Sequence, residues 1–593
     1  MKKQVNFQIP HRLTGLLLGL FLAISAFAQT EVKGHVKDAA GEPVIGATIR
    51  IGGSRVAAVT DVDGNFSIKA SPGEAVTISC IGYLTQTVKA APTLTDTLAD
   101  DSNALQDVVV IGYGTARKSD LTGSVSTVKA ADFNSGSVSS AEQLINGKIS
   151  GVQIINNGGS PTSGNTIRIR GGASLNASND PLIVVDGMPI ESGGISGSGN
   201  PMSMINPADI ESMTVLKDAS STAIYGSRAS NGVLLITTKK GGKDKFRVSF
   251  VTNNSVSFKT KTADMLDASE FASVVNTQGT DRQKELLGTS HTDWMDEIFR
   301  TAFSTDNNLS VSGHSGILPY RVSVGYTNHQ GILLNDRMER YSAGLVLTPA
   351  FLDDHLRLTL NAKGSVNKNR FADQGAIYNA SSFNPTVPVH SGKPVFGGYW
   401  EAVSPGGVPD GTINPVGLLE YFDHRGNVKR VIGNFDVDYK MHFLPELKAH
   451  LSLGLDYAEG YGIYYSPDGV ALNFETGGTN NKYGPQKNIN KLFTGYLNYN
   501  KYVPSMKSSF DITAGYDYQM WMVKSRAYDT YNVFGEVQGH TPATDQRHVL
   551  ISWYGRINYS FADRYLLTST LRADATSRFS PDNRWGYFPS VGH

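Results

Sequence analysis

Cysteine is almost missing. Cys80 is the only one in 593 residues, so no disulfide can form within the chain. It sits in "VTISCIGY", an alternating run, and reads as core filler rather than as a reactive thiol. Excess charge is missing too: 53 Lys plus Arg balance 53 Asp plus Glu, which gives no electrostatic footprint for a nucleic-acid partner. Beyond the N-terminus no stretch approaches the roughly 18 uninterrupted apolar residues of a helical span, so a membrane-resident form must cross as a barrel. Catalytic signatures are absent as well. None of the 13 His is followed by Glu, which removes H-E-x-x-H, and no G-x-S-x-G occurs. "GYGTAR" lacks the third glycine of a dinucleotide loop, and "NGKIS" lacks the upstream glycine and the following Ser/Thr of a phosphate loop. The sequence therefore predicts no enzyme, no metal and no cofactor.

What is plentiful is glycine, at 62, with 26 Tyr and 25 Phe against a charged fraction of only 18%. That is a composition for strands, turns and aromatic belts rather than for long helical bundles. The first 28 residues read as a cleavable export signal. Lys2, Lys3 and Arg12 precede the apolar "LTGLLLGLFLAI", and "AFA" at Ala26 to Ala28 supplies a small-residue cleavage site. Position 29 is Gln rather than Cys, so no lipid anchor is expected there.

Residues 29–90 read as a small all-β domain of seven or so strands. "VKGHVKD", "GATIRIGG", "GNFSIKA" and "AVTISCIGY" alternate between Gly, Pro and Asp turns. "DVDG" at Asp61 to Gly64 opens like a calcium loop, but position 72, where the distal Glu belongs, is Pro, so a hairpin turn is expected. Residues 91–115 read as a flexible linker ending in "DVVVIGYGT", Asp107 to Thr115. Residues 116–245 read as a mixed α/β region. "SAEQLINGKISGVQI" carries Leu144, Ile145 and Ile149 at helical spacing before a strand. "TIRIRGG" sets Ile167 and Ile169 against Arg168 and Arg170, and "PLIVVDGMPI" is a buried strand, a turn at Asp186-Gly187 and a new start. The block from Asn206 to Gly241 reads as cap, short helix, strand, Ser/Ala-rich helix, turn and strand.

Residues 246–593 are different material. In "PYRVSVGYTN", Tyr320, Val322, Val324 and Tyr326 oppose Arg321, Ser323, Gly325 and Thr327. In "DHLRLTLNAKGSV", Leu356, Leu358, Leu360 and Ala362 oppose Arg357, Thr359, Asn361 and Lys363. In "LISWYGRINYSF", Ile551, Trp553, Ile557, Tyr559 and Phe561 oppose Ser552, Tyr554, Arg556, Asn558 and Ser560. Tight connections such as "TPAFLDDHL" and "YSFADRYLL" alternate with long polar ones, Arg370 to Lys429 and Asp456 to Asn488. Short turns at one end and long loops at the other are the arrangement of outer-membrane barrels. Tyr496, Tyr499, Tyr516 and Tyr518 are expected in the aromatic girdles, and Asp436 and Asp438 on the lumen face.

On these residues the chain resembles two known families. "GHVKDAAGEPVIGATI" with "TDVDGNFSI" resembles the carboxypeptidase-regulatory-like domain, a transthyretin-like β-sandwich that implies no peptidase activity. From Glu31 onward, "IRIRGGASL", "PLIVVDGMPI", the Asn206–Gly241 block and "RADATSRFSPDNRWGYFPSVG" make it similar to SusC/RagA-like TonB-dependent outer-membrane transporters. The resemblance implies a mainly β chain of sandwich, plug and antiparallel transmembrane barrel. It implies active import of a large nutrient, a glycan or a peptide, with a TonB-type inner-membrane energiser and a SusD-like surface lipoprotein as partners. A mainly signalling receptor, or a half-barrel fragment without function, is the alternative. Asp107, Val108, Val109, Val110, Ile111, Gly112, Tyr113, Gly114 and Thr115 would be the TonB box. β-Branched residues favour the extended backbone that adds a strand to a partner's sheet edge, and the glycines let the chain turn away. The plug would carry Arg168, Arg170, Asp186, Gly187, Lys217, Asp218, Tyr225, Gly226, Arg228, Asn231 and Gly232. "FNPTVPVHSGKPVFGGYW", Phe383 to Trp400, has the mixture expected of a substrate-facing loop. A plugged barrel of this kind closes with about 22 strands, whereas alternation gives about 11 candidates here. The chain is accordingly expected to be the first part of a longer barrel, halting at "YFPSVGH" where another strand should begin.

Overall fold

The computed structural model describes residues 30–593 except 39–40, 42, 45, 52–55, 72, 81–82, 84, 99–107, 111–114, 118–123, 137, 157–158, 173, 177, 192, 219–221, 243–245, 563 and 593. The export signal thus lies outside the described residues. The chain falls into two compact units that part near Val108, and among the described residues none forms a helix long and apolar enough to cross a membrane.

In the first unit, two-residue alternation builds two small sheets. Thr30–Asp38 lies between Asn65–Ala70 and Thr93–Leu98; Val56–Val59, Thr48–Ile51, Ala75–Ser79 and Gln86–Lys89 form the other. Their inward residues, among them Val36, Ile49, Phe66, Ile68, Ile78 and Leu98, make one core, against which half-buried Cys80 packs. Asp61 closes the DVDG turn, its Oδ1 accepting from the amides of Asp63 at 3.0 Å and Asn65 at 2.8 Å. The carboxylate is spent on the hairpin. Thr93–Leu98 pairs in parallel with Thr30–Asp38, so the sandwich runs to Leu98 and the linker expected from residue 91 begins later.

The second unit opens with a five-stranded mixed sheet. Its order is Val125–Lys129, Ile210–Leu216, Val233–Thr238, Leu182–Val185 and Met188–Ile190, with only the 182–185 and 233–238 strands parallel. Val152–Asn156 and Asn165–Ile169 form a separate hairpin. Where helices are expected, the described residues form 3-10 turns at Ala141–Ile145 and Ala223–Ala229, while Ala219, Ser220 and Ser221 of the Ser/Ala-rich stretch lie outside the described residues. The second is kinked at Gly226, where φ is +67°. Such short segments, broken by glycine, lack the length that sustains an α-helix.

A 13-stranded antiparallel meander follows, of twelve long strands and the two-residue Ala350–Phe351. The long strands run from Phe246–Ser257 to Trp585–Gly592, and each pairs with its sequence neighbours among the twelve. The sheet thus holds slightly more strands than alternation suggested, because "WGYFPSVG" is itself a strand, paired with Tyr565–Thr576. Its Pro589 concealed it, since proline suits only strands with an unpaired side. Many of these strands exceed the ~9–11 residues that cross a bilayer; Thr479–Val503 has 25. Connections at one end are short, at 316–317, 441–446 and 504–507, while those at the other end include 258–301 and 372–422.

Burial along this sheet is inverted relative to a soluble protein. Val324 is 50% exposed and Trp553 58%, whereas Thr327 on the opposite face is 2% exposed and Ser552 fully buried. The apolar faces read from sequence point outward and the polar faces point at the plug. Leu309, Val322, Leu360, Leu453, Leu497, Ile512, Ile557 and Leu571 continue the outward apolar surface. Water would penalise so large an apolar surface; bilayer hydrocarbon stabilises it.

Candidate functional site

The plug is held by its own sequence motifs and by the polar lumen face. The Asp186-Gly187 pair joins two paired strands at φ +47° and +89°, the left-handed backbone that a two-residue hairpin of this type requires. The turn places a carboxylate at its tip. Asp186 Oδ1 accepts from the Thr238 amide at 2.8 Å, and Oδ2 accepts from Thr238 Oγ1 at 2.8 Å, Asn361 Nδ2 at 2.6 Å and Lys363 Nζ at 2.5 Å. Burial pushes this carboxyl up, but the Lys363 charge and these donors outweigh it and hold it below the usual range. Asn361 and Lys363 belong to the strand Leu356–Phe371, so the tip is fastened to the barrel wall.

A second fastening lies under the start of Ile210–Leu216. Asn206 caps the preceding turn through Ala208 N at 3.1 Å and donates to Asn308 of the wall at 2.7 Å. Asp209 accepts from Arg321 at 2.9 Å and Ser323 at 3.0 Å. Fully buried Arg340 donates to the Ser203 carbonyl at 2.7 Å. The third is the 3-10 turn Ala223–Ala229. Arg228 bonds Gln519, and its guanidinium lies 5.2 Å over the Trp521 ring. Arg572, fully buried, bonds the Ile224 carbonyl and pairs with Asp574 at 2.6 Å. At Gly226 a Cβ would meet Arg572 Nε at 2.7 Å, so both φ and space demand glycine.

Of the remaining predicted residues, buried Tyr225 shares a core with Tyr554 of the wall, and most others meet other parts of the plug. Arg170 pairs with Asp218, Arg168 with Asp180 at 2.5 Å, and Lys217 donates to the Ser150 carbonyl at 2.8 Å. Asn231 donates to the Ser178 carbonyl at 2.8 Å, and a Cβ at Gly232, with φ +87°, would meet the Leu216 carbonyl at 3.0 Å. Burial pushes the Tyr225 hydroxyl up and the Lys217 ammonium down. The set named from sequence therefore divides. Asp186, Tyr225, Gly226 and Arg228 meet the wall; the arginines Arg168 and Arg170, with Lys217, Asp218 and Asn231, brace the plug itself. The wall partners Lys363, Arg321, Arg340 and Arg572, and the plug's own Asp209, were missed, although charge on the lumen face of an alternating strand was the available signal for those on the wall.

Two other expectations change. Tyr496 does not join an outer girdle: its ring stacks on His450 at 4.5 Å, on the lumen side with Asp436 and Asp438. Phe383 and Tyr399 are buried with Trp294 and Leu418 in a core of the long-loop end, so "FNPTVPVHSGKPVFGGYW" spends its aromatics on folding that cap. Of the proposed TonB box, Val108–Val110 forms a short strand paired with Thr115–Arg117; Asp107, Ile111, Gly112, Tyr113 and Gly114 lie outside the described residues.

Comparison with known proteins accords with this arrangement. The family described as TonB-dependent Receptor Plug Domain matches residues 117–233, and the CarboxypepD_reg-like domain matches residues 32–110. The TonB-dependent receptor SusC of Bacteroides thetaiotaomicron is 45% identical over 97% of this chain and 59% of its own length. The TonB-dependent receptor P3 of Formosa agariphila is 32% identical over 98% of this chain and 58% of its own. The chain thus spans a little under three fifths of these relatives. Among solved structures, the RagAB peptide importer in its open-open state superposes with a TM-score of 0.69 at 22% identity, covering 82% of this chain and 58% of that one, a likeness of fold.

Proposed function

We propose that this chain, which is similar to SusC and matches the plug and regulatory-like domains of TonB-dependent receptors, works in TonB-dependent import of a large nutrient across the outer membrane. The observation that carries this reading is the inverted strand burial: an apolar face outward, a polar lumen inward, and a plug fastened within by charged and polar contacts. An outward apolar face fits lipid. A plugged lumen has to be opened by work, and the residues Asp107 to Thr115, ahead of the plug, are the handle we assign to an inner-membrane energiser.

The substrate class that fits is a glycan or peptide too large for a simple pore, received with a SusD-like lipoprotein at the long-loop end. The resemblance to SusC-like transporters suggests that class, and the RagAB structure, alike in fold, is that of a peptide importer. The chain's N-terminal segment fits export with cleavage, as an outer-membrane home requires. The test is deletion of Asp107 to Thr115 in the native protein. Energised uptake of labelled oligosaccharides and peptides should vanish while the outer-membrane amount of the protein stays constant. Uptake unchanged by the deletion would overturn the proposal.

A further inference from the structure

The outward face of the wall is not level. On the strands Ser508–Ser525 and Thr544–Phe561 it sinks into a groove of about 720 Å³. Ala514 and Gly555, paired in register, make the floor; Leu497, Tyr516, Trp553 and Leu571 make the sides. The Tyr516 and Trp553 rings lie 4.8 Å apart, and both Trp553 and Leu571 project outward. Gly555 is not there to relieve crowding. A Cβ built on it would meet nothing nearer than the Thr513 carbonyl at 3.9 Å, so the missing side chain leaves open depth.

This face is the one that meets lipid, so an unfilled groove would forfeit dispersion contacts along its whole lining. From the floor the same two strands descend to their short turns through the outward pairs Ile512 with Ile557 and Phe510 with Tyr559. The length from Ala514 down to Ser508 is about 20 Å of strand. At the usual tilt that is a depth of about 15 Å, half of a hydrocarbon core of about 30 Å. A chain headed at the turns therefore ends at the groove. The turns also carry charge for a head. Exposed Lys507 and Arg564 stand on neighbouring turns, joined where the Ala562 amide donates to the Lys507 carbonyl at 2.7 Å. In outer-membrane barrels such short turns meet the periplasmic leaflet, whose lipids are glycerophospholipids.

We propose that the groove seats the acyl chain of an anionic glycerophospholipid whose phosphate rests on Lys507 and Arg564. Depth and charge select the same occupant: the chain fills the space between the Tyr516–Trp553 pair and Leu571, and the head meets two cations at the level where its leaflet ends. A second copy of the chain fits less well. Docked about a two-fold axis normal to the membrane, it would bring its own Lys507 and Arg564 toward the same rim, like charge facing like. The site is independent of what the protein imports and needs only the wall to lie in lipid.

The test takes the native protein reconstituted into phosphatidylethanolamine vesicles with a minor share of phosphatidylglycerol carrying a photoreactive diazirine at its chain end. A parallel sample carries the diazirine on phosphatidylethanolamine instead. After irradiation, peptide mapping should place the phosphatidylglycerol label around Ala514 and Trp553, several-fold above Val322 and Leu360 elsewhere on the outward face. Gly555→Phe, which fills the floor, should abolish that excess. Lys507→Gln and Arg564→Gln should each lower it about fivefold, with heat-modifiable mobility as in the parent. Should Gly555→Phe alter that mobility, the two charge variants on the exposed turns carry the test. Equal labelling at Val322, Leu360 and Trp553, or an equal excess with the phosphatidylethanolamine probe, would overturn the site. So would a cross-link joining two copies through Trp553, which would give the groove to a second copy. An outward face labelled nowhere would count against the transmembrane wall itself.

Discussion

Asp186 shows how one side chain serves turn, sheet and wall together. Its left-handed backbone makes the hairpin, while its two oxygens receive Thr238, Asn361 and Lys363. Asp186→Asn keeps the turn and loses the charge; Asp186→Ala loses both the turn preference and the acceptors and leaves Lys363 unpaired. Removing one partner of a buried ion pair costs about 3–5 kcal/mol, so Asp186→Ala should cost the more of the two. Hydrogen exchange at the Thr238 amide reads this directly, with protection falling from native to Asn to Ala. The carboxyl is held below its usual range, so its contribution is present at neutral pH and is lost as pH falls through the lowered folded value.

Glu401 in the long-loop cap behaves oppositely. Burial pushes it up to about 8, against the hydrogen bonds that both its oxygens accept from the Asn414 amide at 3.1 Å. An acid raised in the folded state favours folding at low pH, and that contribution fades as pH rises from 4.5 through about 8. Asn414 caps the helix Pro415–Tyr421, accepting from Val416 and Gly417, so the cap should loosen there first. Proteolysis between residues 401 and 421 should accelerate from pH 5 to pH 8, and Glu401→Gln should flatten that dependence. A wild-type rate that ignores pH would contradict this account of Glu401.

At the scale of the strand, direction is decided by a period of two. Leu453 is exposed on the outer face, whereas its neighbour Ser452 is buried and bonded to Asp436. Arginine near the bilayer midplane costs about 2–4 kcal/mol on a lipid face, so Leu453→Arg should lower the outer-membrane amount of folded protein, read by heat-modifiable electrophoretic mobility. A mutant as abundant and as heat-modifiable as the parent would remove Leu453 from lipid. That alternation was legible in the sequence, in "PYRVSVGYTN" and "LISWYGRINYSF", because lipid and lumen impose opposite polarity on successive residues. Other elements were not. Thr93–Leu98 joins the sandwich through a parallel partner some sixty residues upstream, and local pattern carries no trace of such pairing. Tyr496 has the same aromatic character whether it meets headgroups or His450, so only register separates the two. The plug motifs were legible as residues but not as contacts, since Arg228 finds Gln519 nearly three hundred positions away.

The whole molecule combines a small sandwich with a plugged barrel wall. The plug's apolar core extends onto the wall through Ile432 and Leu492, and its rim is bonded by Asp186, Asp209 and Arg228. Hydrophobic burial gives the plug its shape, and buried charge fixes its seat, since a misdocked plug would strand Lys363 or Arg321 without its carboxylate. Everything in this account depends on the outward face meeting lipid. The most direct measurement is spin-label accessibility at each position from Tyr320 to Thr327 in native outer membranes, with oxygen and a water-soluble nickel chelate as relaxing agents. The account predicts a two-residue oscillation: labels at Val322 and Val324 reached by oxygen and shielded from nickel, labels at Ser323 and Thr327 reached poorly by both. Nickel reaching Val322 and Val324 freely would put that face in water and contradict the transmembrane wall.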